Sequence, residues 1–260
     1  VEKKANIFRS IERLNKNKNV FIIYMKKNTI ALQREKNARL VSIVTVTYNR
    51  RKFFPKLIRS IEEQTYSKDD IEWIIMDDGT DKIYDLVKHL PYVKYHYICE
   101  KMNLGAKRNY SNEKARGNYI IYFDDDDYHQ PTRIQHSIDT LKCNPQAIIA
   151  ASSKMLLYYT DDETLYTTHE FHASHGTAGT FCFRKELLNI SKFDNKAKCS
   201  EEKYFLKDYK IPMIQLDYKQ TIVIMSHDAN TFDKRKLKGT EAIKPAEDTL
   251  EDVLPSWYSE

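Results

Sequence analysis

A chain of 260 residues is long enough for one large domain or two small ones, with a substantial core. Apolar residues make up 41% and charged residues 30%, which excludes a disordered chain, and no apolar run approaches the roughly 18–20 residues that cross a bilayer. The net charge, 42 basic minus 37 acidic residues or +5, suits anionic substrates or a membrane surface and falls well short of a strongly basic nucleic-acid binder.

Residues 1–40 are rich in lysine and asparagine and read as an N-terminal extension without chemistry of its own. Within it Ile7, Ile11 and Leu14 recur at helical spacing, and Val20–Tyr24 reads as a short strand. Val41–Thr47 is a β-branched run that predicts a buried strand, closed by Tyr48–Arg51. Phe54, Leu57, Ile58 and Ile61 then follow the spacing of a helix packed on one face. A second strand at Ile71–Met76 ends in Asp77-Asp78-Gly79-Thr80; Asp81–Leu90 predicts a helix and Tyr92–Ile98 a third strand. Asn103–Gly117 carries a glycine turn and a helix, Tyr119–Phe123 is the fourth strand, and Pro131 opens a helix with Ile134, Ile138 and Leu141 on one face. Four strand–helix alternations predict a parallel α/β sheet covered by helices on both faces. From about residue 147 the pattern changes to short apolar pieces, Ala147–Ala151, Met155–Tyr159, Thr180–Phe183, Met213–Leu216 and Thr221–Met225, as in a mixed sheet. The last thirty or so residues are charged and weakly periodic, and read as a tail, 231–260, that wraps the surface or frays.

Ligands of such sheets sit outside the carboxyl ends of the strands. Three polar clusters fall there: Tyr48-Asn49-Arg50, Asp77-Asp78 and Asp124–Asp127. Four carboxylates within about 14 Å of extended chain repel one another unless a cation sits among them. A strand that fixes their direction suits a hard ion, Mg²⁺ or Mn²⁺, which takes one or two protein oxygens and completes its shell with phosphates. A solvated acidic turn is the alternative reading.

Other signals are weaker. Cys99, Cys143, Cys182 and Cys199 lie far apart with no CxxC pairing, which fits reduced thiols in a cytoplasmic protein, whether peripheral to a membrane or cut from a longer chain. Of six glycines, Gly79, Gly105, Gly117, Gly176 and Gly179 fall inside the segments singled out here, where each marks a turn or a close backbone approach. His169, His172 and His175 form HxxHxxH, a spacing that invites zinc, but Gly176 and Gly179 argue for a loop. Lys234, Arg235, Lys236 and Lys238 read as a solvated basic surface, with a lid over phosphates as the alternative.

The ordered set VSIVTVTYNR, IIMDDGTD, NLGAKRNYSNEKARGNYIIYFDDDDY, HGTAGTFCFRKELL and SEEKYFL resembles the family 2 glycosyltransferases of the GT-A fold over roughly Val41 to Asn230. The resemblance implies a Rossmann-like α/β nucleotide-binding fold with a mixed, mostly parallel sheet, a nucleotide-binding half (41–145) and an acceptor-binding half (146–230). It implies a nucleotide-sugar donor, with a UDP-sugar the commonest, a divalent metal (Mn²⁺ or Mg²⁺), and inversion at the anomeric carbon. Thr47 and Tyr48 match the residues that meet the base, joined by Arg50; Asp78 matches the carboxylate that accepts from the base, with Asp77 beside it. Arg108 matches a basic residue near the nucleotide. Asp124 and Asp126 match the DxD motif, Asp126 meeting the metal and Asp124 or Asp125 the ribose, although four aspartates in a row leave that register open. Ser200-Glu201-Glu202 matches the segment that supplies the catalytic base, and its spacing to Phe205 and Leu206 favours Glu202 over Glu201. His227 matches a position touching metal or diphosphate, and His175 an acceptor-side loop. The acceptor, whether glycan, lipid-linked or protein, is fixed by no motif, and nucleic acid is not expected as a partner. A nucleotidyltransferase is the second reading, weakened by the absence of a Gly- and Lys-rich phosphate loop after the first strand; a polyanion-binding module comes third.

Overall fold

The β-branched run Val41–Thr47 forms β1, at the centre of a parallel core: it pairs with β2 (Ile71–Asp77) on one side and β4 (Tyr119–Tyr122) on the other. These come from a computed structural model that describes residues 39–198, 200–230 and 232–258. The chain divides into two compact units, Val1–Arg39 and Leu40–Glu260, and apart from Arg39 the described residues belong to the second. The expected helix around Ile7–Leu14, the strand Val20–Tyr24 and Cys199 lie outside the described residues.

Side chains alternate across β1 and β4, and the two sets face different cores. Val41, Ile43, Tyr119, Ile121 and Phe123 pack with Phe54, Leu57 and Ile61 of α1 (Phe54–Glu62) and with Ile134, Ile138 and Leu141 of α4 (Arg133–Cys143). Val44, Ile120 and Tyr122 meet Phe181, Phe183, Phe193 and Phe205 on the other side. At about 1.5–3 kcal/mol for each fully buried large apolar side chain, these two clusters set the register of the sheet.

The full sheet has seven strands in the order β10-β6-β9-β4-β1-β2-β3, with β3 at Val93–Tyr97, β6 at Ile149–Ala151, β9 at Cys182–Arg184 and β10 at Met213–Gln215. The antiparallel β9 joins the parallel halves. The later apolar pieces thus divide between two sheets. The second has five strands, β12-β8-β7-β11-β5, built from β5 (Tyr128–His129), β7 (Leu156–Tyr159), β8 (Thr164–Thr168), β11 (Ile222–Ser226) and β12 (Ile243–Pro245).

Two expectations change in extent. The helix predicted over Asp81–Leu90 is one turn, α2 (Tyr84–Val87). Asp77 draws the Gly79 and Ile83 amides to its carboxylate, Asn49 takes those of Thr80 and Asp81, and Pro91 disfavours helical geometry at Leu90. The terminal segment, over its described residues, wraps the surface: β12 pairs with β8, and Val253, Leu254 and Tyr258 are buried around Tyr128, aided by α6 (Leu250–Val253), which opens with a Thr249–Asp252 capping box.

Candidate active site

A cleft of about 330 Å³ opens beyond the carboxyl ends of β1 and β4. Thr47, Tyr48 and Arg50 come to it from the end of β1, Asp124 to Asp127 from the end of β4, and Lys107 and Arg108 from α3 (Leu104–Lys114). Thr177, Gly179, β11, Asn230 and Lys234 close the other wall.

The four aspartates have four environments. Asp124 accepts from Arg108 Nη2 at 3.2 Å and is the most exposed of the cluster, its side chain 30% accessible. Asp125 is buried, its Oδ2 has no hydrogen-bond partner, and burial together with the charge on Asp126 pushes its carboxyl up to about 8. Burial would also raise Asp126, but His227, Lys234 and Arg50 outweigh it and hold that carboxyl at about 2. Its Oδ2 gathers Arg50 Nη1 at 3.1 Å, His227 Nε2 at 3.2 Å and Asn230 Nδ2 at 3.2 Å. Asp127 accepts from the Met225 amide of β11 at 3.1 Å, and burial beside Asp126 raises it to about 7. Two carboxylates of four are thus driven toward protonation by burial and by the charge on Asp126.

This donor set fits a hard divalent ion of the kind that takes one or two carboxylates and completes its shell with phosphate. Among the described residues no three His, Cys, Asp or Glu side chains are gathered so as to enclose an ion by themselves. Asp126 is the pivot, with Asp124 and the unpartnered Asp125 Oδ2 on either side of it in sequence. His227 stacks on Phe53 with ring centroids 4.6 Å apart, and its Nδ1 accepts from the Ala229 amide at 3.1 Å. That bond occupies Nδ1 and leaves Nε2 facing Asp126 Oδ2 and Asn230 Nδ2, each at 3.2 Å.

Beneath the acids lies an arrangement the sequence did not disclose. Arg133 is wholly buried on the face of Phe123, 4.5 Å from the ring centroid, and donates to the carbonyls of Tyr122 and Gly179, each at 2.6 Å, and to His129 Nδ1. His129 in turn donates from Nε2 to the Asp124 carbonyl at 2.9 Å. Burial lowers the guanidinium to about 10 against the raising charges of Asp124 and Asp127. Its positive charge lies under the acidic turn and its bonds fix the backbone at both ends of the cleft wall.

Asp77 and Asp78 do not line the cleft. Asp77 is consumed by the Gly79 and Ile83 amides and the Tyr95 hydroxyl, the last at 2.6 Å. Asp78 accepts from the Met102 amide at 2.7 Å and from Lys107 Nζ, which also reaches the Thr47 carbonyl at 3.1 Å. Lys107, absent from the sequence reading, is the cation that carries Asp78 to the cleft wall; its only signal was its place beside Arg108 in a buried helix turn. Lys234 departs from the expected solvated run: its Nζ donates to the Met225 carbonyl at 3.1 Å and it lines the cleft, while Arg235 and Lys238 pair with surface aspartates.

Glu201 and Glu202 separate sharply. Glu201 is buried and bound to Arg108 Nε at 2.8 Å. Glu202 opens α5 (Glu202–Phe205), and its carboxylate has no side-chain partner among the described residues. Burial raises it, with Glu201 and Asp124 adding to the rise and Arg108 opposing. Phe205 anchors the short helix, stacked on Phe193 at 4.2 Å. Ser200 before it (φ 51°) and Lys207, Asp208 and Tyr209 after it (φ 50°, 55° and 61°) are left-handed, a strained frame around one helical turn. Beside it His172 meets His175 and Tyr209 edge to face, while His175 lies tilted against Tyr209 and Phe171. His169 is elsewhere, its amide bound to the Ala242 carbonyl, so HxxHxxH does not form a zinc face.

The folded core and its acid-lined cleft have the GT-A fold. Structures with the same fold include Staphylococcus aureus TarS 1–349 in complex with UDP (TM-score 0.56, 19% identity, 72% of this chain and 60% of that one). Another is a mannosyltransferase of Pyrobaculum calidifontis in complex with GDP-Man and Mn²⁺ (TM-score 0.59, 15% identity, 73% of this chain and 58% of that one). The chain thus spans about three fifths of the length of these two solved chains. An uncharacterized glycosyltransferase of Rickettsia typhi is 24% identical over 229 residues, covering 80% of this chain and 68% of the relative. The sequence model described as glycosyl transferase family 2 matches residues 42–208, and the chain belongs to that family. Family membership leaves the nucleotidyltransferase and polyanion-binding readings without support.

Proposed function

We propose that the chain transfers a sugar from a nucleotide-sugar, a UDP-sugar foremost, to an acceptor hydroxyl with inversion, using a divalent metal and Glu202 as general base. The observation that carries this reading is the run of four aspartates, Asp124 to Asp127, that lines the cleft beyond β4. That TarS binds UDP and the Pyrobaculum enzyme GDP-Man with Mn²⁺ supports it.

In this reading Thr47 and Tyr48 receive the base and Asp124 or Asp125 the ribose. Asp126, with Asp124, would hold the ion, which would neutralise charge on the diphosphate when bound. Arg50, His227 and Asn230 hold Asp126 ionised and aimed until that ion arrives. Arg108 occupies Glu201, which leaves Glu202 to take the proton from the acceptor hydroxyl. The hydroxyl oxygen attacks the anomeric carbon as its bond to the phosphate oxygen breaks. Burial suits Glu202 to the task, because a base with a raised pKa keeps more affinity for the proton it removes. Phe171, His172, His175 and Tyr209 present ring faces beside it for an acceptor sugar.

The test is a panel of UDP-sugars with product analysis. Glu202→Gln should bind donor as the parent does and fail to transfer, and full turnover in that variant would remove Glu202 from the mechanism.

A further inference from the structure

The same short helix that carries Glu202 also faces a second groove, of about 980 Å³, between residues 188–196 and the turn after α5. Phe205 turns into the core, whereas Lys203 and Tyr204 turn out to this groove. Two large apolar side chains stand exposed there, Ile190 at 54% and Tyr204 at 67%. Around them are Lys192, Lys196, Lys203 and Lys207, all exposed. Lys203 meets Asp208 only at 3.8 Å with both side chains well solvated; the other three have no carboxylate partner among the described residues. Asp194 and Asp208 are the groove's acids, so four cations face two anions. One oxygen of the Asp194 carboxylate accepts from the Lys196 amide at 2.9 Å.

We infer that this face docks on an anionic lipid bilayer. An aliphatic and a tyrosine side chain ringed by unpaired lysines match the interfacial zone, where the ring and branched chain enter the acyl boundary and the ammonium groups reach the headgroups. A protein partner fits less well, since lysine is depleted from the cores of such interfaces. Docking sets α5 against the membrane. If the proposed transfer holds, it also brings the helical turn that carries Glu202 close to the bilayer, but the docking does not depend on that reaction.

The full chain is sedimented with sucrose-loaded vesicles of phosphatidylcholine alone or of equimolar phosphatidylcholine and phosphatidylglycerol. The expected result is binding to the anionic vesicles, weakened by salt, with little binding to neutral ones. Lys192→Glu/Lys207→Glu should lose at least tenfold, at about fivefold per lysine removed, and Ile190→Ser/Tyr204→Ser should lose binding even at low salt. These positions are exposed, and unchanged thermal unfolding confirms that the variants fold. Absent binding, equal binding to neutral vesicles, or binding that survives both double substitutions overturns the inference. Retention by the Ile190/Tyr204 pair together with displacement of the parent by tripolyphosphate would assign the groove to a soluble polyanion instead.

Discussion

Glu201 and Glu202 are neighbours in sequence and opposites in chemistry. The pair was legible as an acid turn by its resemblance, and spacing favoured Glu202. What separates the two is Arg108, which reaches Glu201 across 93 positions, a separation no local pattern encodes. Glu202→Gln should lower kcat by about 10²–10⁴-fold with donor affinity intact, read by steady-state kinetics and UDP titration. The pH profile carries a sign. Burial raises the Glu202 carboxyl, and the base acts only when deprotonated, so kcat/KM should fall as pH drops through a value above the ordinary glutamate pKa of about 4.3. An acid limb at or below that ordinary value would place the base elsewhere. Arg108→Met should blur the division, leaving Glu201 buried without its cation and Asp124 without its partner.

Elements aim these residues, and each has a weak point that a substitution can find. Arg133 sits at the start of α4, one position before the apolar stripe. Its side chain serves the loop after β4 through the Tyr122 and Gly179 carbonyls and, by way of His129, the Asp124 carbonyl. An arginine beside an apolar stripe reads as surface, so its burial was invisible in the sequence. Arg133→Met should cost about 1–3 kcal/mol by chemical denaturation, because buried carbonyls lose their donors, and should weaken donor binding as the acidic turn loosens. Gly179 was flagged as a close approach, and the approach is to Asp124: an added Cβ would lie 2.8 Å from its Oδ2. Only the end of a side chain must yield, so Gly179→Ala should weaken donor binding severalfold while leaving the melting temperature nearly unchanged. Phe205→Ala, by contrast, removes the anchor of α5 and should cost about 3–5 kcal/mol.

Across the whole molecule, the parallel core was the readable part. β1, β2 and β4 each carry an apolar run long enough to be recognised, and α1 and α4 follow the period of one buried face, whereas β3 alternates polar and apolar residues and α3 buries polar ones. In the second half β6, β7, β9, β10 and β11 were read as short apolar pieces, but not their division between two sheets, since β6 and β7 are separated by four residues yet belong to different sheets. β12 escaped notice because it holds only three residues, one a proline, and borrows its pairing from β8. Both sheets meet at the acidic turn, where Asp124 begins beyond β4 and Asp127 binds β11. The proposed function therefore requires that this turn recruit a cation and, with it, a diphosphate. Calorimetric titration of UDP into the protein with and without Mn²⁺, repeated on Asp126→Ala, tests this most directly. Binding that strengthens at least tenfold with Mn²⁺ and loses that gain in Asp126→Ala is the expected result; UDP affinity indifferent to Mn²⁺, or a metal gain that survives the substitution, would contradict it.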